Sequence, residues 1–155
     1  MRVGHGFDAH RLGGDPPLVL GGVVVDEGHG LVATSDGDVA IHALTDALLG
    51  AAALGDLGTH FPSSDPRWEG SSSLDLLARA VELLGERGLG VVNVDVTIIA
   101  QSIRVAPHRE AMRSAIAGVL GVGEEAVSVK ATTTDGLGFL GRDEGIAALA
   151  TATVH

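Results

Sequence analysis

The sequence predicts a single α+β domain: one mixed β-sheet covered on one side by helices. Three observations predict it. Apolar residues at helical spacing alternate with β-branched runs, in the order strand, strand, helix, helix, strand, helix, strand, strand. Between Val91 and Gln101, Val92, Val94, Val96, Ile98 and Ala100 alternate with Asn93, Asp95, Thr97 and Gln101, which is a strand with one buried face. A chain of 155 residues with 45% hydrophobic content has the length of one domain and can bury a sizeable core.

The elements follow in order. Residues 1–8 and 17–25 are apolar and β-branched, separated by Gly13-Gly14-Asp15-Pro16-Pro17, and read as a hairpin-like strand pair. Gly21-Gly22 marks a bulge or bend in the second run. From Asp36 to Leu54, Val39, Ala43, Leu44, Ala47 and Leu48 predict a helix, with Ser35 or Asp36 as N-cap. Residues 55–71, punctuated by Gly55, Gly58, Pro62 and Pro66, form a long connection of the kind that often carries function. Ser72 to Arg87 predicts a second helix, with Leu74, Leu77, Val81 and Leu84 on one face and Gly88 as its stop. Pro107 opens a third helix through Met112, Ile116, Val119 and Leu120. Val127, Val129 and Ala131 read as a strand, and the Gly-rich segment Gly136 to Gly145 leads into a last one, Ile146 to Val154. The 23 glycines and three Phe, one Trp and no Tyr imply close backbone packing and tight turns.

Charge and composition exclude several classes. A net charge of −10 argues against a nucleic-acid partner, which calls for a basic patch. It leaves room for a phosphorylated small molecule, because metals and helix N-termini supply positive field locally. There are no cysteines to form disulfides, the first residues lack the apolar segment of a signal peptide, and no apolar run approaches the ~20 residues of a membrane span. A soluble, cytoplasmic protein is expected.

The residues that carry chemistry begin with Asp8 and His10. Two apart in an extended backbone, they leave the same face, and His42 follows on a helix. One carboxylate and two imidazoles make three ligands for a divalent metal with one position open, the count typical of catalytic zinc. Asp38 and Asp46 lie four residues either side of His42, either as acceptors for its imidazole or as solvated helix-face charges. Lys130-Ala131-Thr132-Thr133-Thr134-Asp135 offers hydroxyls for phosphate oxygens and a hard oxygen ligand suited to Mg2+. Arg142, in Gly138-Phe139-Leu140-Gly141-Arg142-Asp143-Glu144-Gly145, either binds an anion or pairs with a surface Glu. His5 reads as structural, and His29, His60, His108 and His155 carry no assigned role.

Three segments resemble the 2-C-methyl-D-erythritol 2,4-cyclodiphosphate synthase family: Arg2-Val3-Gly4-His5-Gly6-Phe7-Asp8-Ala9-His10, the run from Ser35-Asp36-Gly37-Asp38 through His42 to Gly50, and Lys130-Ala131-Thr132-Thr133-Thr134. Gly55-Asp56-Leu57-Gly58, Phe61-Pro62 and the segment Gly138 to Gly145 fit as well, so the likeness covers nearly the whole chain. The resemblance implies a homotrimer with sheets facing the central axis and active sites between neighbouring subunits. It implies an intramolecular phosphoryl transfer in the non-mevalonate isoprenoid pathway, on a cytidine-diphosphate methylerythritol 2-phosphate, with release of CMP. Zn2+ would sit on Asp8, His10 and His42, and Mg2+ or Mn2+ would bridge the substrate diphosphate.

The resemblance also maps substrate contacts onto Asp8, His10 and Ser35, and onto Asp56 to Gly58 and Phe61 to Asp65 for the methylerythritol phosphate. Ala100 to Ala106, Thr132 and Thr133 map onto the cytidine and its phosphates, Asp135 onto a substrate-binding position that contacts Mg2+, and Thr34 and Thr133 onto catalytic positions. Phe139 and Arg142 belong near the trimer axis, where an isoprenoid diphosphate can be held. Three positions depart from the family pattern: Thr34 replaces a usual His, Asp135 a usual Glu, and Ile103-Arg104 a usual Pro-Lys. Thr34 can offer a hydroxyl but no charge. Two other readings compete: a trimer weakened in catalysis that binds isoprenoid diphosphates, and a zinc-dependent phosphohydrolase using Asp56 or Asp38 as base.

Overall fold

The two ten-residue strands at the ends of the chain pair with each other. In the computed structural model, which describes residues 1–155, β1 (Arg2–Arg11) runs antiparallel to β6 (Gly145–Val154), with Gly4 opposite Ala152 and His10 opposite Ile146. The expected pairing of residues 1–8 with 17–25 is therefore corrected. The second run folds on itself: β2 (Leu18–Leu20) and β3 (Val23–Asp26) make a separate hairpin turning at Gly21-Gly22. Both glycines have positive φ, 61° and 77°, the conformation a tight two-residue hairpin demands. That local turn wins over a long connection, and β1 is left to find a partner of its own length.

β4 (Val91–Ile99) lies antiparallel to β6 and parallel to β5 (Val127–Thr132), giving the mixed order β1-β6-β4-β5. The parallel pair needs a crossover, and α4 (Arg109–Leu120) supplies it. α1 (Val39–Ala51) lies on β1 and β6, α3 (Ser73–Glu86) packs beside α1, and α4 sits against α3 and β5. All three cover one face, where Val94, Val96, Ile98, Val127, Val129, Ala148, Ala150 and Ala152 are buried. Opposite them Leu44, Leu48, Leu77, Leu84, Met112 and Ile116 fill the core, each large side chain contributing about 1.5–3 kcal/mol by leaving water. The other face of the sheet is open, with Val3 66% and Phe7 55% exposed.

α1 starts later than expected. Its N-cap is Asp38, whose carboxylate accepts from Ile41 N and also from Gly21 N and Gly22 N, 2.9 and 2.7 Å away. A cap shared with the hairpin turn outcompetes Ser35 and Asp36. The long connection holds two short turns, α2 (Leu57–His60) capped by Asp56 and a 3-10 turn Pro66–Trp68 capped by Asp65. α3 begins one residue later than expected, with Ser72 as its N-cap, and α4 begins at Arg109, after a 3-10 turn containing Pro107. The Gly-rich segment contains a single helical turn, α5 (Gly138–Gly141). No helix is long and apolar enough to cross a membrane.

β1 and α1 approach closely because β1 presents glycine to the helix. A Cβ on Gly4 would lie 1.8 Å from Ala47 O, and one on Gly6 would lie 1.9 Å from Ala43 O. Backbone therefore rests on backbone. The next residues on that face of β1 are Asp8 and His10, and the next turn of α1 toward its N-terminus carries His42.

Candidate metal centre

That approach brings the three candidate ligands together. Asp8 Oδ2 lies 3.0 Å from His10 Nε2 and 3.1 Å from His42 Nδ1, and one donor atom from each residue falls within 4.8 Å of the others. The other nitrogen of each ring is already engaged. His10 Nδ1 is 3.0 Å from the Val32 carbonyl, which can only accept, so Nδ1 carries a proton and Nε2 is the nitrogen left to bond Asp8 or, once deprotonated, to ligate a metal. His42 Nε2 is 3.0 Å from Ser73 Oγ and 3.4 Å from Ser35 Oγ. Burial raises the Asp8 carboxyl, but the hydrogen bonds and charges of His10 and His42 outweigh it and hold it well below the usual carboxylate range. The Asp8 hydrogen bond raises His10 against the opposing effect of burial, with the Val32 carbonyl adding to the rise. An ionised carboxylate and two oriented imidazoles make a donor set that can hold a divalent metal ion, and the buttressed His10 ring fits that use.

The group opens onto a cavity of about 660 Å³. Thr34 and Ser35 form part of its wall, with Asp46, Phe61, Ser63 and Trp68. Trp68 packs edge-on against Phe61, ring centroids 5.0 Å apart. Asp56, Gly58 and Asp65 belong to the segments carrying that wall without lining it. Asp56 accepts from Thr59 N and Oγ1, and Asp65 pairs with Arg67 at 2.6 Å.

Neither carboxylate flanking His42 touches its ring. Asp38 is buried as the α1 cap, where desolvation pushes its carboxyl up to about 6 while three backbone N–H donors oppose the rise. Asp46 faces the cavity, accepts from Leu57 N at 2.7 Å, and is raised chiefly by burial. The side chains that do meet the outer nitrogen of His42 are those of Ser73 and Ser35, with Asp36 behind Ser73. Sequence reasoning missed Ser73 and Asp36 in this place, because Ser72-Ser73 reads locally as a helix start. Trp68 carried no periodic signal that would place it in a cavity wall.

The remaining candidates lie elsewhere in the chain. β1, β4 and β5 point the same way, so their C-terminal ends share one end of the sheet. Register runs straight across it, Ala9 opposite Ala147, Ala147 opposite Ile99, Ile99 opposite Thr132. Three strand spacings put the β1 edge about 14 Å from the β5 edge. Ala100, Ala106, Thr132, Thr133 and Asp135 sit at the β4–β5 side, joined by the bond from Ala100 N to Thr132 O, and none lines the metal cavity. Thr133 Oγ1 and Asp135 Oδ1 are 3.3 Å apart. Phe139 and Arg142 belong to the α5 segment at the same end, Phe139 exposed and Arg142 paired with Glu144 at 2.8 Å.

A donor triad that could hold a divalent metal ion, lining a cavity on a mixed sheet covered on one face, defines an α+β protein with a candidate metal centre. A sequence model of the YgbB family matches residues 1–155. The chain is similar to the 2-C-methyl-D-erythritol 2,4-cyclodiphosphate synthase of Pseudomonas aeruginosa, 58% identical over 98% of this chain and 97% of that one. It is 55% identical to the synthase of Symbiobacterium thermophilum, over 99% and 98% of the two chains. Its fold superimposes on the bifunctional IspDF of Campylobacter jejuni with a TM-score of 0.96 at 44% identity, covering 99% of this chain and 42% of that longer one. A solved 2C-methyl-D-erythritol-2,4-cyclodiphosphate synthase in a CDP-bound form gives a TM-score of 0.91 at 34% identity, covering 99% of this chain and all of the other. The chain belongs to the YgbB family, that of the 2-C-methyl-D-erythritol 2,4-cyclodiphosphate synthases.

Proposed function

We propose that this chain converts 4-diphosphocytidyl-2-C-methyl-D-erythritol 2-phosphate into 2-C-methyl-D-erythritol 2,4-cyclodiphosphate and CMP, in the cytoplasmic non-mevalonate isoprenoid pathway. The observation that carries the reading is the convergence of Asp8, His10 and His42 at a cavity walled by hydroxyls. In the reaction an oxygen of the 2-phosphate attacks the β-phosphorus, the bond from that phosphorus to the bridging oxygen breaks, and CMP leaves with the electron pair. The nucleophile is already an anion, so the site needs positioning and charge neutralisation rather than a base. A divalent ion held by Asp8, His10 and His42, with Zn2+ the best match to those donors, supplies Lewis-acid stabilisation of phosphate charge, and Mg2+ or Mn2+ accompanies the diphosphate.

The chain's own groups orient the substrate. Thr34 and Ser35 donate hydroxyl hydrogen bonds to phosphate oxygens from the cavity wall. Asp56, Gly58, Phe61 and Asp65 hold the methylerythritol, while Ala100, Ala106, Thr132, Thr133 and Asp135 hold the cytidine and its phosphates. The second group lies at the opposite edge of the sheet, so a neighbouring copy must bring its β5 edge to this β1 edge. The open face with Val3 and Phe7 then turns to the axis of a homotrimer, where Phe139 and Arg142 can meet an isoprenoid diphosphate.

The hydrolase alternative finds little support, because Asp38 is sealed as a helix cap and Asp56 is bonded to Thr59. A 31P NMR assay with the proposed substrate, Zn2+ and Mg2+ tests the reading. Cyclic diphosphate and CMP are expected, and His42→Ala should lose both product and zinc while remaining folded. An unchanged spectrum from zinc-loaded protein would refute the synthase reading, and hydrolysis without cyclisation would point to the phosphohydrolase.

A further inference from the structure

His42 is gripped on the side away from Asp8 by a chain of hydrogen bonds drawn from two separate segments, the start of α3 and the loop before α1. Ser73, fully buried at the first turn of α3, hydrogen-bonds Asp36 through its Oγ, and its backbone N donates to Asp36 Oδ2 at 2.8 Å. The same Oγ lies 3.0 Å from His42 Nε2. Asp36 itself precedes α1, two residues before the Asp38 cap.

The chemistry of these atoms sets which tautomer the outer side of the ring favours. An ionised carboxylate only accepts, so the Ser73 hydroxyl proton goes to Asp36. Ser73 Oγ then presents a lone pair to His42 Nε2 and favours the tautomer that carries the ring proton there. On the inner side Asp8 Oδ2, 3.1 Å from Nδ1, competes for the same proton, and only the Nε2–H form leaves the Nδ1 lone pair that a metal ion needs. A neutral imidazole without such a partner divides its proton between both nitrogens, and each molecule with Nδ1–H cannot bind metal there.

We propose that Asp36 and Ser73 are positioning residues which fix the His42 tautomer and ring orientation for metal binding. The proposal rests on the reading of His42 as a ligand. Asp36 polarises Ser73, Ser73 accepts from Nε2–H, and Nδ1 faces the metal position with its lone pair. Removal of such an outer partner typically costs 10–100-fold in metal affinity. The arrangement also ties α3 to the metal site, because the residue that orients the ring is the one that opens the helix.

The test compares wild type, Ser73→Ala, Asp36→Asn and Asp36→Ala. Zinc affinity is measured by chelator competition, and His42 ring 15N shifts are read by NMR on metal-free protein at pH 8. In wild type the shifts should report a measurable Nε2–H population beside the Nδ1–H form that Asp8 favours. Asp36→Ala frees the Ser73 hydroxyl to donate to Nε2, so the shifts should move toward Nδ1–H and zinc binding should weaken 10–100-fold. Ser73→Ala should weaken zinc to a similar degree, and the Ser73→Ala/Asp36→Ala double variant should lose no more than Ser73→Ala alone. Asp36→Asn keeps the shape of the loop and serves where Asp36→Ala does not fold. A purely structural link would lower the melting temperature and leave both the ring shifts and the affinity within twofold of wild type, which overturns the proposal. If wild type binds no zinc, the ligand reading fails, and wild-type ring shifts showing no Nε2–H population would overturn the tautomer assignment independently.

Discussion

Gly6→Ala is expected to take the metal centre apart from a distance. The new Cβ would sit 1.9 Å from Ala43 O and 2.9 Å from Ala47 N, both backbone atoms of α1 that no rotamer change can move. Real Cβ contacts essentially never fall below 3.0 Å, so helix and strand must part by about 1.1 Å, the difference between 3.0 and 1.9 Å. Asp8 is the next residue on that face of β1, and His42 is adjacent to Ala43 in the chain. Their present separation of 3.1 Å would open to about 4 Å, against a tolerance of about 0.2 Å for metal–ligand distances. Overpacking of a tight core contact costs about 1–3 kcal/mol, or about 3–10 °C in melting temperature for a domain of this size. Calorimetry and zinc titration on the purified variant read both effects. A Gly6→Ala protein that melts within 2 °C of wild type and binds zinc equally would refute the close-approach argument.

Two further predictions concern charge and capping. In metal-free protein the lowered Asp8 pKa gives stability present above about pH 3.8 and lost on acidification, while the raised His10 pKa gives stability present below about 6.5 and lost as pH rises through its folded value. The Asp8–His10 pair should therefore stabilise most between those limits, and subtracting the melting profile of His10→Gln from that of wild type checks it; a difference that grows from pH 7 to 9 contradicts the sign. Zinc affinity should run the other way and rise through that range, since the metal takes the neutral ring. Asp38→Ala strips the acceptor from Gly21 N, Gly22 N and Ile41 N at once. Loss of a cap together with unpaired buried donors should cost about 3–5 kcal/mol, seen as a fall of about 10 °C or more in thermal unfolding.

Much of the molecule is legible in local sequence. Alternation in Val91–Ile99 and the 3.6-residue period of Ser73–Glu86 both describe one residue's relation to its near neighbours, and a buried face follows from that alone. The same local rule puts Asp8 and His10 on one face of a strand, and donor chemistry then suggests a metal.

Only the tertiary structure decided what those faces meet. Nothing near residue 8 says that β1 pairs with residues 145–154, because strand pairing across the chain depends on register and length rather than on local pattern. The start of α1 at Asp38 was set by two N–H groups of a hairpin turn 16 and 17 residues earlier. The partner of His42 came from α3 rather than from Asp38 or Asp46 on its own helix, since side chains at four-residue spacing are neighbours only when neither is drawn into another hydrogen bond. Thr132 and Thr133 stand at the far edge of the sheet from Asp8 for the same reason: sequence determines which residues share a face, and the order of strands determines which faces share a site.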